Sequence, residues 1–216
     1  MTSTLRLDRF RETPLVTDPF EYVVVSDFLE RNALDAARAS FPTVPGPGSH
    51  PPSGLKVDGG FKRMVDEVCG PEFQAAVEEK FSLSLQGRPF MYTVRGYTRA
   101  RDGQIHTDSK TKIITVLLYL NEDHWSNGNG RLRMLRSGTD LENYADEVEP
   151  AGGTLIVFRR SDRSWHGHHP YEGPRRALQF NWVTDASVVE REQGRHGFSS
   201  RLKSLFGRRP TADTMM

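Results

Sequence analysis

The chain has 216 residues, and its 29 Lys and Arg against 28 Asp and Glu leave a formal charge of +1. That length buries one sizeable core, and that balance gives no global field toward nucleic acid or an anionic membrane. The single cysteine, Cys69, excludes an internal disulfide and a cysteine-ligated metal cluster, which suits a reducing, cytoplasmic setting.

The polar start, with Arg6, Asp8, Arg9, Arg11 and Glu12, has no apolar run of the signal-peptide kind, and no segment reaches the length of a membrane span. Tyr22-Val23-Val24-Val25 predicts a short strand. Asp27 to Ser40, with Phe28, Leu29, Leu34 and Ala37 at helical spacing, predicts the helix it feeds. From Pro42 to Gly60 the composition turns to Pro, Gly, Ser and His, a long loop that reads either as a lid or binding loop or as a connector. Gly60 to Cys69 and Pro71 to Leu85 predict two packed helices, the second opened by Pro71 in its first turn.

Beyond Gly87 the period changes. Short β-rich runs recur at Phe90 to Tyr97, Lys112 to Leu120, Arg131 to Leu135, Thr154 to Phe158 and Ala177 to Val183, separated by turn signals such as Asn127-Gly128-Asn129-Gly130. The expected fold is mainly β with flanking helices (α+β), built on a double-stranded β-helix, a cupin-like jelly roll. One domain is expected over 1–186, with 19–88 as helical support and 89–186 as the jelly-roll core. A basic extension follows over 187–216, where Arg191, Arg195, Arg201, Lys203, Arg208 and Arg209 surround Phe198, Leu202, Leu205 and Phe206. That pattern suits an amphipathic helix packed on the barrel or a surface for an acidic partner.

Chemistry enters at Gln104-Ile105-His106-Thr107-Asp108. Two potential ligands stand two apart on an expected strand edge, so both side chains point to one face. Alone the pair says little, because a surface His beside an Asp is ordinarily just solvated. Downstream, the Gly-led apolar run Gly152 to Phe158 is followed by Ser164-Trp165-His166, which brings a second imidazole from a later strand, with His168 and His169 as competitors. Two imidazoles and a carboxylate on one face of an octahedron leave three positions open, the arrangement in which iron(II) takes a bidentate cosubstrate and oxygen.

In Pro174-Arg175-Arg176-Ala177-Leu178-Gln179-Phe180-Asn181-Trp182, alternation places Arg176, Leu178, Phe180 and Trp182 on one face. A guanidinium on an apolar wall needs a carboxylate partner, and its planar fork suits the C5 carboxylate of 2-oxoglutarate. The competing reading gives Arg176 an internal Asp or Glu and leaves Arg175 exposed.

Taken together, the residues from Tyr92 to Val183 resemble the 2-oxoglutarate and Fe(II)-dependent oxygenase superfamily, in particular bacterial members of its prolyl-4-hydroxylase-like branch. The resemblance rests on His106-Thr107-Asp108, the strand Ile113 to Asn121, the turn Gly130-Arg131-Leu132, Gly152 to Phe158, and His166-Gly167-His168-His169-Pro170 before the arginine pair. In that branch the distal histidine stands four residues before a proline, which selects His166. The arginine stands six before a strand tryptophan, which selects Arg176. The resemblance further implies that Tyr97 and Tyr119 contact 2-oxoglutarate through their hydroxyls while Leu132 and Trp182 shape its pocket. Asn129-Gly130 departs from the two glycines many relatives carry, a change a turn tolerates. Asp18-Pro19-Phe20 through Phe41-Pro42 is similar to the N-terminal strand and helix of bacterial members.

The implied activity is a dioxygenase reaction that consumes Fe(II)-bound 2-oxoglutarate and molecular oxygen, supported by ascorbate. It releases succinate and carbon dioxide and hydroxylates a C–H bond of a peptidyl or small-molecule substrate. Asp108 keeps the carboxylate that halogenating relatives lack, which favours hydroxylation. The alternative of another class is a non-catalytic jelly-roll module that holds metal or ligand. A nucleic-acid demethylase would draw on Arg99, Arg101 and Lys110 but finds no support in the balanced charge. The 42–60 loop, the Arg99-Ala100-Arg101-Asp102 turn and His124-Trp125 are the expected rim elements.

Overall fold

The computed structural model describes residues 3–191. Most of the basic extension expected over 187–216 therefore lies outside the described residues. Strand β1 (Tyr22–Val25) follows a short helix α1 (Leu7–Glu12) and precedes α2 (Arg31–Ala39), α3 (Gly59–Val68) and α4 (Pro71–Phe81). The rest is β2 (Phe90–Thr98), β3 (Lys112–Tyr119), β4 (Leu132–Leu135), β5 (Tyr144–Val148), β6 (Leu155–Arg159), β7 (His166–Gly167) and β8 (Gly173–Val183). The strands pair antiparallel in two sheets, β1-β6-β3-β8-β2 and β5-β4-β7. This is the expected jelly-roll core with its flanking helices.

The larger sheet is buried on both faces, and strand alternation assigns each residue to one of them. Val23 and Val25, Ile114, Val116 and Leu118, Leu155 and Val157, and Leu178, Phe180 and Trp182 point to one side. There they form one core with Phe61, Met64, Phe73 and Val77 of α3 and α4. Tyr22, Tyr119, Ile156, Phe158 and Ala177 point to the other side and pack on Leu132, Met134 and Val148 of the small sheet. Trp182 sits deep in the helical core, with ring centroids 4.4 Å from Phe90 and 6.3 Å from Phe73.

The helices are joined where the sequence allows close approach. A Cβ on Gly60 would lie 2.6 Å from Ala36, so glycine lets α3 touch the backbone of α2. The Ser40 hydroxyl at the end of α2 then accepts the Phe61 amide at 2.8 Å, satisfying a donor that the first turn of α3 leaves free. Helix α2 begins at Arg31 rather than Asp27, because Asp27 turns the chain at φ 51°.

The 42–60 segment is anchored. His50 and Val94 exchange backbone hydrogen bonds of 2.9 and 2.8 Å, which covers part of the free edge of β2 beside the barrel mouth. Strand β5 is not among the expected runs, and β7 is the later strand expected to bring His166, though no run of its own predicts it. β5 is polar and half-exposed, and β7 has only two residues, so neither writes a strand pattern.

Candidate active site

His106 and His166 are tied together by the main chain. Each amide donates to the other residue's carbonyl at 3.0 Å, and the two rings lie 4.3 Å apart on one side of that bridge. Asp108 follows in the turn leading to β3, so the expected strand edge is a single bridge at His106. It nevertheless delivers both side chains to one place. Ligand atoms of His106, Asp108 and His166 all lie within 4.8 Å of one another, and no other such group of three occurs among the described residues.

The protonation pattern suits a metal. The Nδ1 of His106 bonds the Gln104 carbonyl at 2.8 Å, and that of His166 bonds the Ser164 carbonyl at 3.0 Å. Only a protonated Nδ1 can donate to a carbonyl, so in a neutral ring the Nε2 lone pair is left for a cation. Asp108 accepts the Lys112 ammonium at 2.7 Å on one oxygen and the Thr115 hydroxyl on the other. Burial pushes the Asp108 pKa up, but Lys112, His166 and the two donors outweigh it and hold the carboxyl below its ordinary value. Burial takes the His166 pKa down to about 4 against the opposing pull of Asp108, which keeps the ring neutral near pH 7.

His168 is held apart from the three. Its Nδ1 bonds the His169 carbonyl at 2.8 Å, and burial, with the Arg175 charge next in weight, lowers its pKa to about 4. A stability prediction follows for the metal-free protein. Unfolded histidines take up protons near pH 6.5, whereas His166 and His168 resist until about pH 4. Between those values the unfolded state binds more protons, so stability falls as pH falls, by on the order of 2 kcal/mol per histidine at pH 5. Urea unfolding of chelator-treated protein at pH 7 and pH 5 checks this. Equal midpoints would contradict the buried neutral rings.

Beside the three groups lies a cavity of about 150 Å³ whose walls include Thr93, Arg95, Tyr119, Leu132, His168, Arg175 and Gln179. It far exceeds the roughly 10–15 Å³ that one water needs. Arg175 is only 5% exposed. Its Nε donates to the Gly130 carbonyl at 3.1 Å and its Nη2 to the Tyr119 hydroxyl at 3.0 Å, and it forms no ion pair with an Asp or Glu among the described residues. Gly130, at φ 79°, lies so close to Tyr171 and Trp125 that a Cβ would meet them at 3.1 and 3.3 Å, so the carbonyl that orients Arg175 depends on glycine there.

Three expected pocket residues are corrected. Arg176 is exposed, with its guanidinium 5.0 Å over the Phe41 ring. Alternation did group it with Leu178, Phe180 and Trp182, but that face meets the helices, whereas Arg175, Ala177 and Gln179 line the cavity. Trp182 accordingly packs in the helical core. Tyr97 lies past a bulge between Arg95 and Tyr97 and faces a separate recess with Phe41, Pro174 and Arg176. Tyr119 and Leu132 do line the cavity.

Sequence reasoning missed Arg95, which also faces the cavity. The available signal was on the partner strand β8, where the alternate set Arg175-Ala177-Gln179-Asn181 is small or polar while the other face, beyond Arg176, is apolar. Of the rim elements, the 42–60 segment supplies Ser49 to the cavity wall. His124 lies instead in a larger surface recess of about 540 Å³ with Arg6, Asp27 and Asp146, away from the three grouped ligands.

Residues 91–184 match the family model described as the 2OG-Fe(II) oxygenase superfamily. A search of the curated proteins found no match. Among solved structures, a prolyl 4-hydroxylase from Phytophthora capsici is similar at 16% identity over 94% of this chain and 77% of that one, with a TM-score of 0.54. The viral collagen prolyl hydroxylase of Paramecium Bursaria Chlorella virus-1 is similar at 18% over 81% and 95%, with a TM-score of 0.50. A Pseudomonas putida prolyl-4-hydroxylase aligns at 19% over 83% and 93%, with a TM-score of 0.49. At such identities the first two establish a shared fold.

Proposed function

We propose that this chain, which carries a 2OG-Fe(II) oxygenase superfamily domain over residues 91–184, is a dioxygenase of the prolyl-4-hydroxylase-like branch that hydroxylates a C–H bond of a peptidyl or small-molecule substrate in the cytoplasm. Fe(II), 2-oxoglutarate and molecular oxygen are its cofactor and cosubstrates. The donor set fits the metal: two imidazoles and one carboxylate are the facial ligands of non-haem iron(II), and they leave positions for other ligands. The observation that carries the reading is Arg175, a buried guanidinium with no carboxylate partner among the described residues, in the wall of the cavity that also contains His106 and His166.

Each residue then has a task. His106, Asp108 and His166 hold the iron. Lys112 and Thr115 fix the Asp108 carboxylate and keep it ionised. Arg175 and the Tyr119 hydroxyl receive the C5 carboxylate of 2-oxoglutarate, and Leu132 with Phe158 shields its methylene carbons from water. Bound iron with its cosubstrate supplies the oxidising chemistry, in which 2-oxoglutarate is cleaved to succinate and carbon dioxide. No side chain acts as a nucleophile.

Anaerobic addition of Fe(II) and then 2-oxoglutarate is expected to produce a visible metal-to-ligand charge-transfer band, and admitting oxygen is expected to yield succinate only when iron is present. Failure of 2-oxoglutarate to bind would leave the non-catalytic jelly-roll module as the better reading.

A further inference from the structure

The cavity wall carries a second guanidinium. Arg95, on β2, donates from Nη2 to the Ser49 hydroxyl at 3.0 Å, which draws the 42–60 segment onto the site. Its nearest carboxylate, Asp102, is 3.8 Å away and already committed elsewhere. One Asp102 oxygen takes Arg99 Nη2 at 3.0 Å, and the other takes the Arg99 amide at 2.9 Å. Burial lowers the Arg95 pKa. Asp102 opposes this, while the charges of Arg175 and Arg99 add to it, the signature of a cation that has too little negative charge nearby.

Charge counting makes the surplus definite and rests on the function proposed above. The Asp108 carboxylate is shared between the Lys112 ammonium and the ferrous ion it would hold, so that ion keeps at least one positive charge, and 2-oxoglutarate, a dianion, is fully used by that charge and Arg175. Arg95 remains, its half-share of Asp102 offset by the unpaired half of Arg99, and the wall has no further Asp or Glu among the described residues. A half-buried cation of this kind is costly unless the molecule that fills the cavity brings an anion to it. We infer that Arg95 is the specificity-determining residue for a substrate bearing a free carboxylate, so that the preferred substrate is a small carboxylic acid, such as a free amino acid, rather than an internal residue of a peptide.

The test uses the enzyme loaded anaerobically with Fe(II) and 2-oxoglutarate, titrated with a panel of free L-amino acids and with the corresponding L-amino acid amides. Binding is read as a change in the charge-transfer band and as a calorimetric Kd. At least one free acid is expected to bind, with its amide at least about tenfold weaker, the scale of a charge-assisted pair. Arg95→Gln is expected to erase that preference, Arg95→Lys to keep part of it, and 2-oxoglutarate affinity to change about threefold or less in either. Amides that bind as well as acids, no binding from either set, or an undiminished preference in Arg95→Gln would each overturn the assignment. Loss of 2-oxoglutarate binding in Arg95→Gln would overturn it too, by making Arg95 part of the cosubstrate site. If the parent itself takes up no 2-oxoglutarate, the proposed function fails first, and that outcome is visible before any amino acid is added.

Discussion

Arg175→Ala is expected to weaken 2-oxoglutarate binding at least about 100-fold, whereas Arg176→Ala is expected to leave it within about threefold. Truncating one partner of a buried charge pair typically costs 2–5 kcal/mol, and the lower part of that range already corresponds to about 100-fold. Arg175 qualifies because it is buried and pre-aimed by the Gly130 carbonyl and the Tyr119 hydroxyl, so little ordering remains to be done when the carboxylate arrives. Arg176 lies over Phe41 in solvent, where an ion pair is worth about 1 kcal/mol or less. Anaerobic titration followed by the charge-transfer band measures both, with circular dichroism to confirm that each variant folds. Equal losses would refute the division of the pair, and a loss confined to Arg176→Ala would reverse the assignment.

The second large effect concerns the metal. His166→Ala and Asp108→Ala are each expected to lower iron(II) affinity more than about 100-fold, beyond the 10–100-fold typical of partners that only support a ligand. His168→Ala is expected to stay within that smaller range or below it. The comparison is clean for His166, because its link to His106 runs through backbone atoms that alanine retains. Asp108→Ala also leaves the Lys112 ammonium without its carboxylate, which adds a repulsive charge beside the ion. Anaerobic iron titration of the apo variants reads the effect directly. Retention of iron by His166→Ala with loss in His168→Ala would move the ligand two residues along the chain.

Much of this arrangement was legible in the sequence, and the exceptions share a cause. His106, Asp108 and His166 could be picked out because metal ligation needs particular residue types, and those survive uncertainty about the surrounding structure. Even when His106-Thr107-Asp108 formed one bridge instead of a strand edge, the side chains still met. The pocket depended on register instead. Alternation along β8 correctly sorted Arg176, Leu178, Phe180 and Trp182 from Arg175, Ala177 and Gln179. It carried no information on which side would meet the helices, because the sheet is buried on both. Tyr97 was displaced by a bulge at Gly96, the kind of irregularity that a glycine inside a strand marks but strict alternation ignores. The 42–60 segment read as irregular from its Pro and Gly content, and its one ladder contact among the described residues, His50 with Val94, is too short to leave a pattern.

The two-sided use of the larger sheet bears on how this protein can change over evolutionary time. Thr93 and Gln179 sit opposite each other across β2 and β8, on the cavity side and outside either apolar cluster. Exchanging such residues alters what the chamber admits while the packed layer behind it is undisturbed. New substrate preferences can therefore accumulate one mutation at a time, without the loss of foldedness that the same number of changes at Leu178 or Phe180 would bring.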